Sequence, residues 1–181
     1  MEKKKLLVFS DTHGGIAALK TVFSWAKDRT PPDDAICAAA FLGDGIADLQ
    51  TAANATGFFC EWNLVSGNND YGYSIPGTMV LDFCGRRFFM CHGHRHNNYG
   101  DYHTLISAAQ AAEADVVLFG HSHVPFMKII NGILLINPGS IARPRSRLGA
   151  TFAVIECIEN EMPAIEFFGI SAHGVIHKIK I

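Results

Sequence analysis

Five short segments rich in Asp, Asn, Gly and His punctuate the chain, each placed where a strand-like apolar run gives way to a turn. They are Asp11-Thr12-His13, Gly43-Asp44, Gly67-Asn68-Asn69-Asp70, His92-Gly93-His94 and Gly120-His121-Ser122-His123. Carboxylates, amide oxygens and neutral imidazoles are ligands for divalent ions such as zinc, manganese or iron. A set this rich in nitrogen and oxygen, with no thiolate, argues against a structural zinc knot and for a catalytic metal site. Taken singly, the segments say little. Asp11 is also the kind of residue that caps a helix, His13 is an ordinary polar loop residue, and Gly43-Asp44 is common in turns. If the backbone stays extended, Asp11 and His13 lie on the same side and can reach one ion. His121 and His123 are more telling, because two imidazoles after a sharp turn at Gly120 would otherwise each need a partner. His92 and His94 repeat that arrangement around Gly93. His96, His103, His173 and His177 lie outside such contexts and read as surface or structural.

Elements of a βαβ rhythm must position these segments. The run 6–9 is continuous and apolar, as a strand buried on both faces requires. Ile16, Leu19, Phe23 and Ala26 then recur at helical spacing behind Gly14-Gly15. Runs 35–42, 62–65 and 116–119 repeat the strand type, and the Ala-rich stretch 104–112 is helical. Cys84-Gly85-Arg86-Arg87 and Asn131-Gly132 read as hairpin turns, and a further strand pair, 152–158 and 164–170, turns at 159–163. In open α/β sheets the loops at the carboxyl ends of the strands gather the ligands. With no repeat, low-complexity tract or linker, 1–181 is expected to form a single domain.

At 181 residues the chain is long enough to bury about 70 per cent of its unfolded surface without cross-links. Its five cysteines form no CxxC pair and read as small core residues of a reducing compartment. The opening Met1-Glu2-Lys3-Lys4-Lys5 imitates a signal peptide, but four apolar residues follow, too few for one. No run approaches the roughly 20 residues of a membrane span. A cytoplasmic protein is expected. A formal net charge of −2 and a pI near 6.5 argue against tight, nonspecific binding of nucleic-acid polymers, yet leave room for a small anionic substrate. Arg86 and Arg87 read as solvated charge at a hairpin. The cluster Arg143, Arg145 and Arg147, behind Asn137-Pro138-Gly139-Ser140, is less readily read as solvated charge, and Arg143 and Arg145 are its candidates for phosphate contact.

The ordered set Asp11-x-His13, Gly43-Asp44, Gly67-Asn68-x-Asp70, His92-Gly93-His94 and Gly120-His121-x-His123 resembles the calcineurin-like metallophosphoesterase superfamily, in its small bacterial and archaeal phosphodiesterase branch. The resemblance covers residues 6 to about 147 and includes Asn137-Pro138-Gly139-Ser140 and Pro144-Arg145. It implies a two-sheet α/β sandwich flanked by helices. It also implies a dinuclear centre, with Asp11, His13 and His123 on one ion, Asn68, His92 and His121 on the other, and Asp44 bridging. Manganese is the expected ion, with iron, nickel and zinc compatible. The implied reaction is hydrolysis of a small phosphodiester by in-line attack of a hydroxide bridging the ions, which also stabilise the phosphoryl charge. Asp70 would orient a ligand or its neighbour, His94 would lie beside the substrate phosphate, and Arg143 and Arg145 are the candidate anion contacts. A homodimer is common among such relatives.

Many relatives carry His after the asparagine ligand, where it can protonate the leaving oxygen, and this chain has Asn69. General acid catalysis is worth roughly 100- to 10,000-fold, so its loss favours diesters with acidic leaving groups over simple phosphomonoesters. His94 is the substitute acid. A phosphomonoesterase is one alternative. Another is a protein-binding scaffold of the retromer-subunit kind, in which the metal positions are eroded, whereas all seven are intact here. Neither GxGxxG nor GxxxxGK[ST] occurs, which argues against a nucleotide-binding α/β protein with a glycine cradle. Loops 71–77 and 95–102 would wall the pocket, and Tyr71, Tyr73, Tyr99 and Tyr102 either stack a base or pack the loops, packing being favoured.

Overall fold

A computed structural model of the chain describes residues 3–29, 34–96, 100–159 and 161–181. Eleven strands among these residues form two mixed sheets. The first runs in the order β11-β10-β9-β1-β2-β3, and the second β4-β5-β6-β8-β7. Its strands are β1 (Lys3–Phe9), β2 (Ile36–Phe41), β3 (Glu61–Leu64), β9 (Ala150–Ile158), β10 (Ala164–Ile170) and β11 (Ile176–Ile179). Those of the second are β4 (Thr78–Phe83), β5 (Arg86–Cys91), β6 (Val116–Phe119), β7 (Pro125–Ile130) and β8 (Ile133–Pro138). Helices α1 (Ile16–Lys27) and α2 (Ile46–Thr56) cover the outer face of the first sheet, and α3 (His103–Ala111) covers that of the second.

Both faces of the central strands are therefore buried, which is why β1 is apolar without alternation. Leu6 and Val8 enter the core between the sheets, whereas Leu7 and Phe9 pack under the helices. Helix α1 buries Leu19, Val22, Phe23 and Ala26, one stripe at helical spacing. The expected hairpins form at both Gly turns, β4 to β5 and β7 to β8. Arg86 and Arg87 are paired with Asp115 and Asp82 beside the first of them.

Register sets the site. Phe9 lies opposite Phe41 in the parallel pair β1/β2, and Phe41 opposite Leu64 in β2/β3. In the second sheet Cys91 lies opposite Phe119. The strands thus end level, and their loops leave side by side. No helix among the described residues is long and apolar enough to cross a membrane.

Candidate metal centre

The loops are tied together before any side chain is considered. Asp11 N–H donates to the Gly43 carbonyl at 2.9 Å and His13 N–H to that of Asp44 at 3.1 Å. Gly67 and Gly120 permit this crowding. A Cβ on Gly67 would stand 2.0 Å from Asp44 Oδ1, and one on Gly120 would stand 2.1 Å from Ser10 Oγ. Gly120 is thus required by close approach rather than by the sharp turn expected of it. Its neighbours make the turns instead, since His121 (φ 67°) and His123 (φ 60°) are left-handed. Asp11 (φ 57°), His13 (φ 41°) and Asp44 (φ 63°) are too. An extended backbone therefore does not bring Asp11 and His13 together, and Asp11 caps no helix, the N-cap of α1 being Gly15. Such conformations cost of order 1–3 kcal/mol each and persist where surrounding structure dictates them, commonly at functional sites.

All seven ligand candidates converge. His123 Nε2 lies 3.0 Å from Asp11 Oδ1 and 3.3 Å from His13 Nε2. His13 Nε2 lies 3.6 Å from both Asp11 Oδ1 and Asp44 Oδ2. His92 Nε2 lies 3.5 Å from Asp44 Oδ2 and 3.2 Å from His121 Nδ1. Asp11 Oδ1 is also 3.9 Å from His92 Nε2, so Asp11 as well as Asp44 sits between the two histidine groups, which the sequence does not suggest. Asn68, Asn69, Arg143 and Arg145 share a cleft of about 330 Å³ with His13, Asp44, His121 and His123.

The backbone fixes which imidazole atoms face inward. His92 Nδ1 donates to the Leu42 carbonyl at 2.7 Å, and His123 Nδ1 to that of Arg143 at 2.6 Å. A carbonyl only accepts, so each Nδ1 carries a proton and each ring turns its Nε2 towards the carboxylates. Asp11 Oδ1 and Asn68 Oδ1 are buried without a hydrogen-bond donor among the described residues. Acceptors crowded on acceptors are stable only around positive charge. Divalent cations fit this donor set, and no thiolate competes, because burial pushes the Cys91 thiol up to about 12.

The electrostatics agree. Burial alone would raise the Asp11 carboxyl, but the imidazoles of His123, His13 and His92 crowded against it outweigh burial and hold the group well below the usual carboxylate range. Burial likewise opposes ionisation of Asp44, yet His92 and Asn69 bring it down to about 2. For His92 burial disfavours the charged ring, and Asp44 and Asp11 more than offset it, so its pKa is raised. The same arrangement that draws a proton onto His92 offers its lone pair to a cation.

Asp70 touches no candidate ligand atom. Its Oδ2 accepts from Asp44 N–H and Gly67 N–H, both at 2.7 Å, and its Oδ1 from Gly45 N–H at 2.8 Å and Ile46 N–H at 2.9 Å. It pins the Asp44 loop and the first turn of α2, which lacks a side-chain cap of its own. Asn69 is likewise turned towards the ligands, its Nδ2 donating to Asp44 Oδ2 at 2.6 Å and its N–H to Oδ1 at 2.8 Å. His94 lines a neighbouring cleft that meets the first at Asn68. Burial and the charges of His92 and Arg95 lower its pKa.

Several positioning roles escape a sequence reading. Asp48 Oδ2, buried on α2, accepts from Thr12 Oγ1 at 2.5 Å and Gly14 N–H at 2.8 Å. Ser140 Oγ donates to the Asp11 carbonyl at 2.8 Å and accepts from Arg143 N–H at 2.8 Å, while Asn137 Nδ2 donates to the Gly120 carbonyl at 2.8 Å. Asn137 and Ser140 thereby clamp two ligand loops and the start of the arginine loop. The usable signal for Asp48 is an acid inside the apolar stripe Ile46, Leu49, Ala52 and Ala53. The loop aromatics divide. Tyr102 stacks on Phe126 at 4.8 Å, Tyr73 lines a groove beside α2, Tyr71 opens onto the His94 cleft, and Tyr99 lies outside the described residues. His96, expected to be a surface or structural residue, lines the His94 cleft as well.

The sequence model of the calcineurin-like phosphoesterase superfamily domain matches residues 5–160. The chain is 31% identical over 166 residues to the probable metallophosphoesterase YsnB of Bacillus subtilis, covering 90% of this chain and 89% of that protein. It is 35% identical over 147 residues to a probable metallophosphoesterase of Mycoplasma genitalium, covering 79% and 80%. A predicted phosphoesterase of Streptococcus pneumoniae superposes with a TM-score of 0.75 at 24% identity over 99% of this chain and 98% of that one. Vps29 of Entamoeba histolytica complexed with zinc gives 0.73 at 20% identity, covering 98% of each chain. A structure described as a novel archaeal phosphodiesterase gives 0.64 at 19% identity, covering 89% and 98%. These likenesses below 25% identity speak to the fold, a two-sheet α/β sandwich. By the match to its sequence model and the identity to its bacterial relatives, the chain belongs to the calcineurin-like phosphoesterase superfamily.

Proposed function

We propose that the chain is a divalent-metal-dependent phosphoesterase acting on a small phosphodiester. The observation that carries this reading is the gathering of the Nε2 atoms of His123, His13 and His92 at 3.0, 3.6 and 3.9 Å from the buried Asp11 Oδ1, beside a cleft lined by Asp44, Asn68, Arg143 and Arg145. Asp11, His13 and His123 would hold one ion and Asn68, His92 and His121 a second, with Asp44 shared. Manganese is the expected ion, and iron, nickel and zinc suit the same donors. Bound there, divalent ions would supply an acidic water as nucleophile and offset the charge on the phosphoryl oxygens. Arg143 and Arg145 orient the phosphate from the rim. Asn69 holds Asp44 and has no proton to give, so the leaving oxygen must depart without help from that position. This favours diesters of acidic alcohols or phenols, and the likeness to the archaeal phosphodiesterase supports the same choice.

A protein-binding scaffold on the same fold is the second reading, favoured by the likeness to Vps29. Metal analysis and paired ester assays separate the two. Protein equilibrated with manganese should hold two ions per chain, hydrolyse bis(4-nitrophenyl) phosphate in preference to 4-nitrophenyl phosphate, and lose activity to a chelator until manganese is restored. At most one weakly held ion and no hydrolysis of either ester would sink the enzymatic reading.

Asn69→His tests the leaving-group argument. Across phosphodiesters graded by leaving-group pKa, the variant should show a flatter dependence, because an imidazole can offset charge on the departing oxygen. It should also bind manganese several-fold more weakly, having lost the amide on Asp44. An unchanged slope at full metal occupancy would move the proton donor elsewhere, His94 being the nearest candidate.

A further inference from the structure

Of the seven arginines of the chain, three are paired with carboxylates and four, Arg147 on the exposed surface among them, have no ion pair among the described residues. Arg29, Arg86 and Arg87, away from the centre, each meet a carboxylate, at 3.2, 3.8 and 3.1 Å. Arg95, Arg143 and Arg145 line the two clefts and have no ion pair among the described residues. The clefts meet at Asn68, and the second, of about 460 Å³, is large enough for an ester arm of nucleoside size. Its wall carries Tyr71, 83% exposed, and His94 and His96, whose Nδ1 atoms are buried with no hydrogen-bond partner among the described residues. A phosphodiester has two arms and a single negative charge, which Arg143 and Arg145 already answer. An unpaired guanidinium in the other cleft calls for a second anion.

Resting on the phosphodiesterase reading, we propose that the cleft of Tyr71, His94, Arg95 and His96 binds an ester arm that carries both a planar ring and a further anionic group, as a nucleotide bearing an additional phosphate does. Arg95 pairs with that group, Tyr71 covers the ring, and the His94 and His96 side chains wall the arm. Arg95 is then a specificity residue for charge on the arm, distinct in effect from Arg143 and Arg145.

The test compares thymidine 5′-(4-nitrophenyl phosphate) with the same ester bearing a 3′-phosphate, so that leaving group and ring stay constant while charge is added. The manganese-loaded protein should favour the charged ester by about tenfold in kcat/KM, the worth of one charge-assisted contact. Arg95→Gln, an exchange at an exposed and unpaired position, should bring the ratio to about one, whereas Arg145→Gln should slow both esters and keep the ratio. In parallel, calorimetry with manganese present should show thymidine 3′,5′-bisphosphate binding about tenfold tighter than thymidine 5′-phosphate, a difference absent in Arg95→Gln. Equal handling of each pair by the unaltered protein, or a preference that survives Arg95→Gln, would overturn the proposal. A binding preference without hydrolysis of any diester would overturn the enzymatic reading and leave the subsite standing.

Discussion

Asp44→Asn is expected to lower kcat/KM for a diester by about a thousandfold or more, equivalent to about 4 kcal/mol of transition-state stabilisation. The reason is positional. Asp44 Oδ2 stands 3.6 Å from His13 Nε2 and 3.5 Å from His92 Nε2, facing both histidine groups at once. An amide there either turns its NH₂ inward, placing donors where a cation must sit, or leaves one neutral oxygen for two groups. His94→Ala, which removes a side chain from the neighbouring cleft, should cost about 10- to 100-fold. The Asn variant should also lose the manganese-induced rise in Tm, since a ligand stabilises the fold only by binding it.

Without metal, the sign of the stability change follows from the carboxyl itself. Its pKa falls from 3.8 to about 2 on folding, so the ionised group stabilises the metal-free fold above about pH 4, by of order 2 kcal/mol. That contribution fades as pH falls towards 2. Metal-free Asp44→Asn should therefore melt lower than the unaltered protein at pH 7 and converge with it in acid. Equal, mild losses of activity from Asp44→Asn and His94→Ala, with manganese still bound, would show that Asp44 does not serve both ions.

How much of this site the sequence discloses depends on what kind of physics each part uses. Strands buried on both faces announce themselves as continuous apolar runs, and because β1, β2, β3, β5 and β6 end level, the residues just after them were bound to meet. The manner of meeting was hidden. Five of the eight non-glycine residues with left-handed backbone among the described residues are ligand candidates. Spacing that assumes an extended chain finds the partners and misstates the geometry. Helix α2 was silent for another reason. Its buried stripe is Ile46, Leu49, Ala52 and Ala53 with Asp48 among them, so small residues and an acid replace the large apolar ones that reveal α1. Strand β11 is mostly exposed at a sheet edge and has no apolar run to show. Asn137 to Ser140 were visible as a motif, but their work is done by hydrogen bonds to Gly120, Asp11 and Arg143, which no local pattern encodes.

Asp70→Ala should destabilise the protein more than any other polar exchange near the centre, although the side chain reaches no ion and no substrate. Its two oxygens accept four backbone N–H groups, from Asp44, Gly45, Ile46 and Gly67, all at 2.7 to 2.9 Å. Alanine strands all four in a crowded place, where an unmade bond to a buried donor costs about 1–3 kcal/mol. Water can enter and satisfy some of them, so a net loss of about 3–5 kcal/mol is expected, read as a fall in Tm of about 6–20 °C for a domain of this size. Asn is no rescue. It keeps one accepting oxygen for one pair of N–H groups and points an NH₂ at the other pair, donor against donor. Glu keeps both oxygens but its extra methylene carries them out of register with the four N–H groups. Activity should fall with stability yet differ in kind from Asp44→Asn: because the ligands of Asp70→Ala remain chemically complete, high manganese should recover much of its rate, whereas Asp44→Asn should stay inactive. Asp70→Ala with an unchanged Tm, or with activity that no manganese concentration restores, would show that the carboxylate does something other than hold the Asp44 loop in place.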